Sequence, residues 1–399
     1  MLHQVHQLNK IANKPERIIL GLMSGTSLDG LDIALCKVSE SGICTKVQLL
    51  HFETIEYDAD FKKDIQSIFC KEVVSLEKLC LMNAQIGLVH SQIINNTLAK
   101  LNLRNCDVDL IASHGQTIYH APKSKHQQQK FGNATLQIGD ADHIAFNTNI
   151  ITISDFRQKH IAAGGEGAPL AIYGDYFLLS SKDENRILLN IGGIANFTFL
   201  PSSLHIDEVI CTDVGPGNTL MDAFIQHHFP NKFYDENAAI ALEGNVNDDL
   251  LKALCDHKFF KQTFPKTTGQ ELFNFQFIEN ALVASNTMNI TIADVMATLN
   301  YFTAHTITAA IKQNIQQKNY SIYISGGGAN NPLLIKNIQE LLPNISIQST
   351  DVLGINPNAK EAILFAVLAN ETVCGKSDFY QQPNTKFPPI TMGKISFPR

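Results

Sequence analysis

Ile18–Val38, IILGLMSGTSLDGLDIALCKV, is the stretch whose reading decides the fold. An apolar run (Ile18–Met23) meets a small polar turn, Gly25-Thr26-Ser27-Leu28-Asp29-Gly30, and a run with alternating faces (Leu31–Val38) follows. That grammar predicts a β-hairpin. The turn is longer and more polar than a hairpin requires. Gly25 and Gly30 let backbone N–H groups approach a ligand with no Cβ in the way. Ser24, Thr26 and Ser27 offer hydroxyls, and Asp29 is placed to hold a metal ion, directly or through water. Amide donors with one acid suit a nucleotide phosphate and Mg²⁺. A plain turn made of turn-favouring residues explains the same letters.

Far downstream, Arg186–Leu200 (RILLNIGGIANFTFL) repeats the pattern: apolar strand, the pair Gly192-Gly193, a short polar turn, apolar strand. Two such hairpins predict two related lobes, each presenting a loop to one phosphate chain. Lys46–Tyr57 reads as a third strand after the first hairpin. Phe61–Cys70 and Val74–Leu101 carry apolar residues at helical spacing.

Asp107–Ser113 reads as a buried strand ending in His114-Gly115-Gln116-Thr117, where open α/β sheets bind ligands. A capped turn with a structural His is the alternative. The strand Ile150–Ser154 runs into Asp155-Phe156-Arg157 and the glycine-rich 164–167. Either Arg157 faces an anion, or Asp155 and Arg157 pair around a glycine hinge. Glu208–Thr212 reads as a strand delivering Asp213 at its tip, before Gly215-Pro216-Gly217-Asn218 and a helix Thr219–His228. Asp213 is either an acid aimed into a cleft or a helix cap; Asn218 is better placed to cap. Asp222 is a second, less well placed acid. Tyr320–Ser325 ends in Gly326-Gly327-Gly328 before a helix Leu333–Leu342, where a nucleotide can lie against bare backbone. There is neither a Walker loop nor a complete dinucleotide fingerprint. Glu361 opens the apolar helix Ala359–Val373, where the helix dipole favours a carboxylate whatever its role.

The 399 residues suit two domains, and 44% apolar with 17% charged residues is the balance of a globular protein. A net charge of −7 gives no general attraction to nucleic acid or anionic membrane. No apolar run reaches the ~18 residues of a membrane span. No signal peptide is legible at the N-terminus. Eight Cys with no C-x-x-C pair argue for a reducing cytoplasm and against a zinc site or disulfide framework.

The paired hairpins resemble the phosphate loops of the sugar kinase, heat-shock ATPase and actin superfamily. GTSLDGLD, SHGQT, DFR with AAGGEGAPL, LNIGGIAN, DVGPGN, SGGGANN and KEAILFAVLA together resemble the anhydro-N-acetylmuramic acid kinase family, from about Gly21 to Leu368. The resemblance implies an α/β protein of two RNase H-like lobes, the actin-like ATPase fold, with a nucleotide cleft between them. The expected organisation is an N-terminal extension (1–15), lobe I (16–145, with 362–399 packing back on it) and lobe II (146–361). The tail from Pro383 is expected to pack as extended chain.

The resemblance further implies a cytoplasmic ATP-dependent enzyme that opens the 1,6-anhydro ring of anhydro-N-acetylmuramic acid and phosphorylates O6 in cell-wall recycling. ATP contacts are expected from Gly25, Thr26, Ser27, Leu28, Asp29, Gly30, Leu31, Asp32, Gly192, Gly193, Asn196, Gly326, Gly327 and Gly328. Mg²⁺ is expected at Asp29, and sugar contacts at His114, Gln116, Arg157 and Glu361. Asp213 is the expected catalytic base, since water must be activated to attack the anomeric carbon. A homodimer is compatible with the resemblance. The rival readings are a kinase for another amino sugar or hexose, and a non-catalytic ATPase switch.

Overall fold

The opening hairpin forms. β1 (Glu16–Ser24) pairs antiparallel with β2 (Gly30–Ser39), and β2 pairs antiparallel with β3 (Lys46–Glu56). β4 (Leu110–Ala121) runs parallel to β1, β5 (Ala134–Ile138) folds antiparallel onto the far half of β4, and β6 (Thr152–Ser154) runs parallel to β4. The second hairpin begins a second sheet of β7 (Asn185–Ile191), β8 (Ile194–Leu200), β9 (Ile210–Pro216), β10 (Tyr320–Ser325) and β11 (Ser346–Ser349). β12 (Lys394–Ser396) returns to lie antiparallel on β6.

The strand orders β3-β2-β1-β4-β6 and β9-β8-β7-β10-β11 are the same order twice, each with its second strand antiparallel. This is the duplicated RNase H-like arrangement that the two hairpins predict. The computed structural model describes residues 2–25, 28–317, 319–356, 358–375 and 390–399. They form two compact units, Met1–Leu179 with Asn358–Arg399, and Ser180–Pro357.

In the first unit the helix Lys360–Cys374 is almost wholly buried, which its run of apolar residues requires. It lies directly on β1, because Gly21 has no side chain: a Cβ there would meet Ala362 O at 2.0 Å. The helix Leu76–Lys100 contributes Ile86, Ile94 and Leu98 to a core shared with Leu20, Leu22 and Ile33 of the sheet. Each such side chain, fully buried, adds about 1.5–3 kcal/mol. In the second unit the helices Thr219–His228, Phe275–Ala284 and Ile292–Asn314 share a core with β7 and β8.

Four expectations change. Residues 146–179 fold with the first unit rather than the second, because β6 takes its place beside β4, and the chain leaves at 179/180. Leu2–Ala12 is a helix rather than a loose extension, with Ile11 buried and Gln4 Nε2 donating to Pro398 O at 2.5 Å. His114–Thr117 lies inside β4, since β5 extends the pairing beyond Ser113. Asp213 sits within β9 rather than at its tip. The early part of the proline-rich tail, 383–389, lies outside the described residues, while 394–396 form β12.

Candidate active site

In the first unit, Gly25, Asp29, Gly30, Asp32 and Glu361 line one cavity of ≈ 320 Å³ with Thr54. Thr54 Oγ1 donates to Asp32 Oδ1 at 2.6 Å, and Tyr57 N–H holds the Asp29 carbonyl at 3.1 Å. Glu361 stands in the first turn of its helix. Its concave surroundings raise its pKa, the Arg157 guanidinium opposes this, and Asp32 adds to it. Leu28, with φ of 60°, and Leu31 direct their side chains into the core, so a ligand can meet only their backbone. Thr26 and Ser27 lie outside the described residues.

Gln116 is 0% exposed. Its Oε1 accepts from Ser24 Oγ at 2.5 Å, and its Nε2 donates to Gly25 O at 3.1 Å and Thr117 O at 3.3 Å. Expected at the sugar, Gln116 instead has both ends of its amide engaged within the protein, where it braces the turn at Gly25. Behind it, Ser24 Oγ meets Tyr57 OH at 2.9 Å and Tyr57 OH meets His90 Nε2 at 2.8 Å.

His114 is also buried, but it reaches a wall of a second cavity of ≈ 440 Å³, beside Ser113, Asn83, Asp140 and Asp155. Its Nε2 accepts from Arg157 Nε at 2.8 Å. Burial, reinforced by that guanidinium, pushes its pKa down to about 3, so the ring is neutral with the proton on Nδ1. Arg157 Nη1 also donates to Gly167 O at 2.9 Å. The alternative Asp155–Arg157 pair does not form: Asp155 Oδ2 pairs with Lys394 Nζ at 2.8 Å.

In the second unit a polar row crosses the sheet. Ser325, Asn190, Asn196 and Asp213 are register partners from β10 through β7 and β8 to β9. Asn196, expected at the nucleotide, is thus the cross-strand neighbour of Asp213. Asp213 N–H donates to Lys266 O at 3.0 Å, and Thr268 N–H donates to Asp213 Oδ2 at 2.9 Å. Oδ1 has no hydrogen-bond partner among the described residues. Burial raises the Asp213 pKa and the Thr268 amide counters it. Asp222, half-buried on the next helix, is pushed up to about 6 by burial.

The turn Gly192-Gly193 is clamped from below. Asn218 N–H donates to Gly192 O and Gly217 N–H to Gly193 O, each at 2.8 Å, and Thr219 Oγ1 donates to Gly193 O at 2.6 Å. With those carbonyls satisfied, what the turn offers a ligand is its amides. Gly217 makes the clamp possible, since a Cβ there would meet Gly192 O at 2.2 Å. Asn218 does not cap its helix through its side chain as expected. At the end of β10, Gly326 takes φ of 84° and packs on Ile191 O, whereas a Cβ on Gly327 would find only Asn218 Nδ2, at 3.5 Å. Bare backbone stands open there. Asn190, Lys266 and Thr268 are neighbours that the sequence does not assign to the site; the loop 265–271 reads from the letters only as a polar loop before a helix, resembling a loop of the anhydro-N-acetylmuramic acid kinase family. Asn190, a lone polar residue ending an apolar strand, carried a usable signal; the other two act through backbone.

Two RNase H-like units with a glycine turn after the first strand of each define the actin-like ATPase class. The Anhydro-N-acetylmuramic acid kinase family profile matches residues 17–378. A relative of that name from Pseudoalteromonas atlantica is 52% identical over 100% of both chains. One from Pseudoalteromonas translucida is 51% identical over 98% of each, and one from Caldanaerobacter subterraneus subsp. tengcongensis is 39% identical over 98% of this chain and 99% of its own. The chain belongs to the anhydro-N-acetylmuramic acid kinase family, a family of enzymes. No helix among the described residues is long and apolar enough to cross a membrane.

Proposed function

We propose that the protein uses ATP and water to open the 1,6-anhydro bridge of anhydro-N-acetylmuramic acid, giving the 6-phosphate of N-acetylmuramic acid and ADP. The observation that carries this reading is the Asp213 carboxylate, with one oxygen fixed by the Thr268 amide and the other left free. A base for water needs such an available oxygen and a pKa drawn toward neutrality, and burial raises that of Asp213. Water attacks C1 and gives its proton to Asp213 as the C1–O6 bond breaks, as the base carboxylate acts in inverting glycosidases. O6 leaves with the electron pair, bonds to the γ-phosphorus of ATP, and the bond to ADP breaks. Because O6 departs onto phosphorus, a second carboxylate acting as acid is not required.

Phosphoryl transfer needs alignment and charge neutralisation. The amides of Gly192 and Gly193 and the open backbone at Gly327 suit the nucleotide, as does the turn from Gly25 to Gly30. Asp29 would hold Mg²⁺, which when bound supplies neutralising charge to the phosphates. The donor set fits that ion: Asp29 lines its cavity with Asp32, Thr54 and Glu361, all oxygen donors, and Mg²⁺ keeps several waters and takes one or two carboxylates with substrate phosphate. Arg157 suits the lactyl carboxylate, and Glu361 a sugar hydroxyl or N–H. Eight free thiols support a reducing cytoplasm as the working compartment.

The test is ADP release in a coupled assay with anhydro-N-acetylmuramic acid, N-acetylmuramic acid or N-acetylglucosamine. Turnover is expected with the anhydro sugar, lost in Asp213→Asn while that variant still binds ATP by calorimetry. Preference for either other sugar would indicate an ordinary amino-sugar kinase. ADP release that needs no sugar would indicate an ATPase switch.

A further inference from the structure

Lys266 is a buried cation with no carboxylate partner among the described residues. It is 8% exposed, and its ammonium lies 4.3 Å from the ring centres of Phe259 and Phe264 and 5.6 Å from that of Phe260. Its Nζ donates to Phe259 O at 3.2 Å. Burying a cation is costly, and aromatic faces with one carbonyl are a partial substitute for water. Those rings are themselves anchored: Phe259 and Phe260 pack edge-on to each other, Phe259 on Phe273, and Phe260 on Phe302 of the unit's core.

The backbone of the same residue runs beside the strand that carries the base. Lys266 N–H donates to Thr212 Oγ1 at 3.0 Å, Lys266 O accepts from Asp213 N–H at 3.0 Å, and two residues on, Thr268 N–H reaches Asp213 Oδ2 at 2.9 Å. Side chain and main chain of Lys266 therefore point to two different tasks. The ammonium fastens the segment to the aromatic core, and the main chain presents an amide to the carboxylate.

We infer that Lys266 is the positioning residue of Asp213: its ammonium, seated among the three rings, holds the 266–268 segment so that the Thr268 amide fixes one carboxylate oxygen and leaves the other toward water. This rests on the reading of Asp213 as the base. The influence is mechanical rather than electrostatic. Asn196 faces Asp213 from β8 and the 266–268 segment faces it from the other side. Burial raises the pKa of Asp213 and the Thr268 amide lowers it, so that amide is the contact through which the segment bears on its ionisation. Losing the cation is expected to reach Asp213 through that amide.

The experiment compares pH profiles of kcat for the full-length enzyme and Lys266→Met, which keeps length and apolar body but not charge. Loss of the Thr268 bond to an ionised carboxylate raises its pKa by about one unit. The acid limb of kcat should move upward by about that much, with kcat down about tenfold at pH values on that limb and KM for both substrates within about twofold. Thr268→Pro, which deletes the donor and leaves Lys266 in place, should move the limb the same way. A folded Lys266→Met whose limb and kcat stay at wild type, while Thr268→Pro shifts them, overturns the inference and leaves Asp213 as base. An active Asp213→Asn overturns the underlying reading instead. Should Lys266→Met not fold, Phe264→Leu removes one ring wall only; an upward shift supports the inference, and an unmoved limb overturns it.

Discussion

Tyr57→Phe removes one buried hydroxyl from the brace beneath the first glycine turn. Donor and acceptor roles along that brace can be assigned from end to end. Gln116 Oε1 only accepts, so Ser24 donates to it. Tyr57 must then donate to Ser24, and His90 Nε2–H donates to Tyr57. At the other end Gln116 Nε2 donates to Gly25 O. The substitution leaves the His90 Nε2–H without an acceptor and Ser24 without a donor, all at residues 1–5% exposed. One orphaned buried group costs about 1–3 kcal/mol and a lost neutral bond about 1 kcal/mol, so the variant should lose roughly 2–4 kcal/mol. Urea unfolding followed by hydrogen exchange in β1 and β4 measures this. Adding His90→Leu removes the stranded donor, and a double-mutant cycle should return about 1–2 kcal/mol. Since the brace ends at the Gly25 carbonyl, KM for ATP should rise several-fold while KM for the sugar stays put. A Tyr57→Phe protein within about 0.5 kcal/mol of wild type, with unchanged KM for ATP, would refute the reasoning.

Gly327→Ala separates ligand contact from folding. Its Cβ would meet nothing closer than Asn218 Nδ2 at 3.5 Å, so stability should hold within about 1 kcal/mol while calorimetric affinity for ATP falls at least tenfold; retained affinity would mean the nucleotide lies elsewhere. Acid should weaken the first unit through two buried neutral histidines. The pKa of His90 is lowered by burial to about 4, and that of His114 by burial and Arg157 to about 3. Both lie below the unfolded value near 6.5, so the unfolded chain binds more protons as pH falls, and stability is lost from about pH 6.5 downward toward the folded values. At pH 5 each histidine costs roughly 2 kcal/mol. Urea midpoints across pH 7 to 5 check this, and His90→Leu should flatten the slope.

What could be read from the letters was local. Both hairpins are legible because a glycine turn between apolar runs needs no distant information, and the helix Thr219–His228 and strand Tyr320–Ser325 fall where periodicity puts them. The extent of β4 was not legible, because the HGQT segment stays in the sheet through distant pairing, with β5 and, at Gln116, with Ser24 of β1. Gln116 looked like a ligand contact for the same reason: its partners Ser24 and Gly25 are distant in sequence. The β6 segment was assigned to the wrong unit since three residues of strand give no sign of which sheet they join. The amide on Asp213 comes from 55 residues downstream, from a backbone group with no side-chain signature. Asp213 itself was legible as a candidate because an acid beside a Gly-Pro-Gly turn is rare in an apolar strand.

Solvent-oxygen labelling tests most directly the central claim that water opens the ring at the anomeric carbon. With anhydro-N-acetylmuramic acid turned over in H₂¹⁸O and quenched before the product's anomeric oxygen exchanges, mass spectrometry should find one ¹⁸O at C1 and none in the transferred phosphate. Label absent from C1 would contradict the account, because water would then not be what opens the ring.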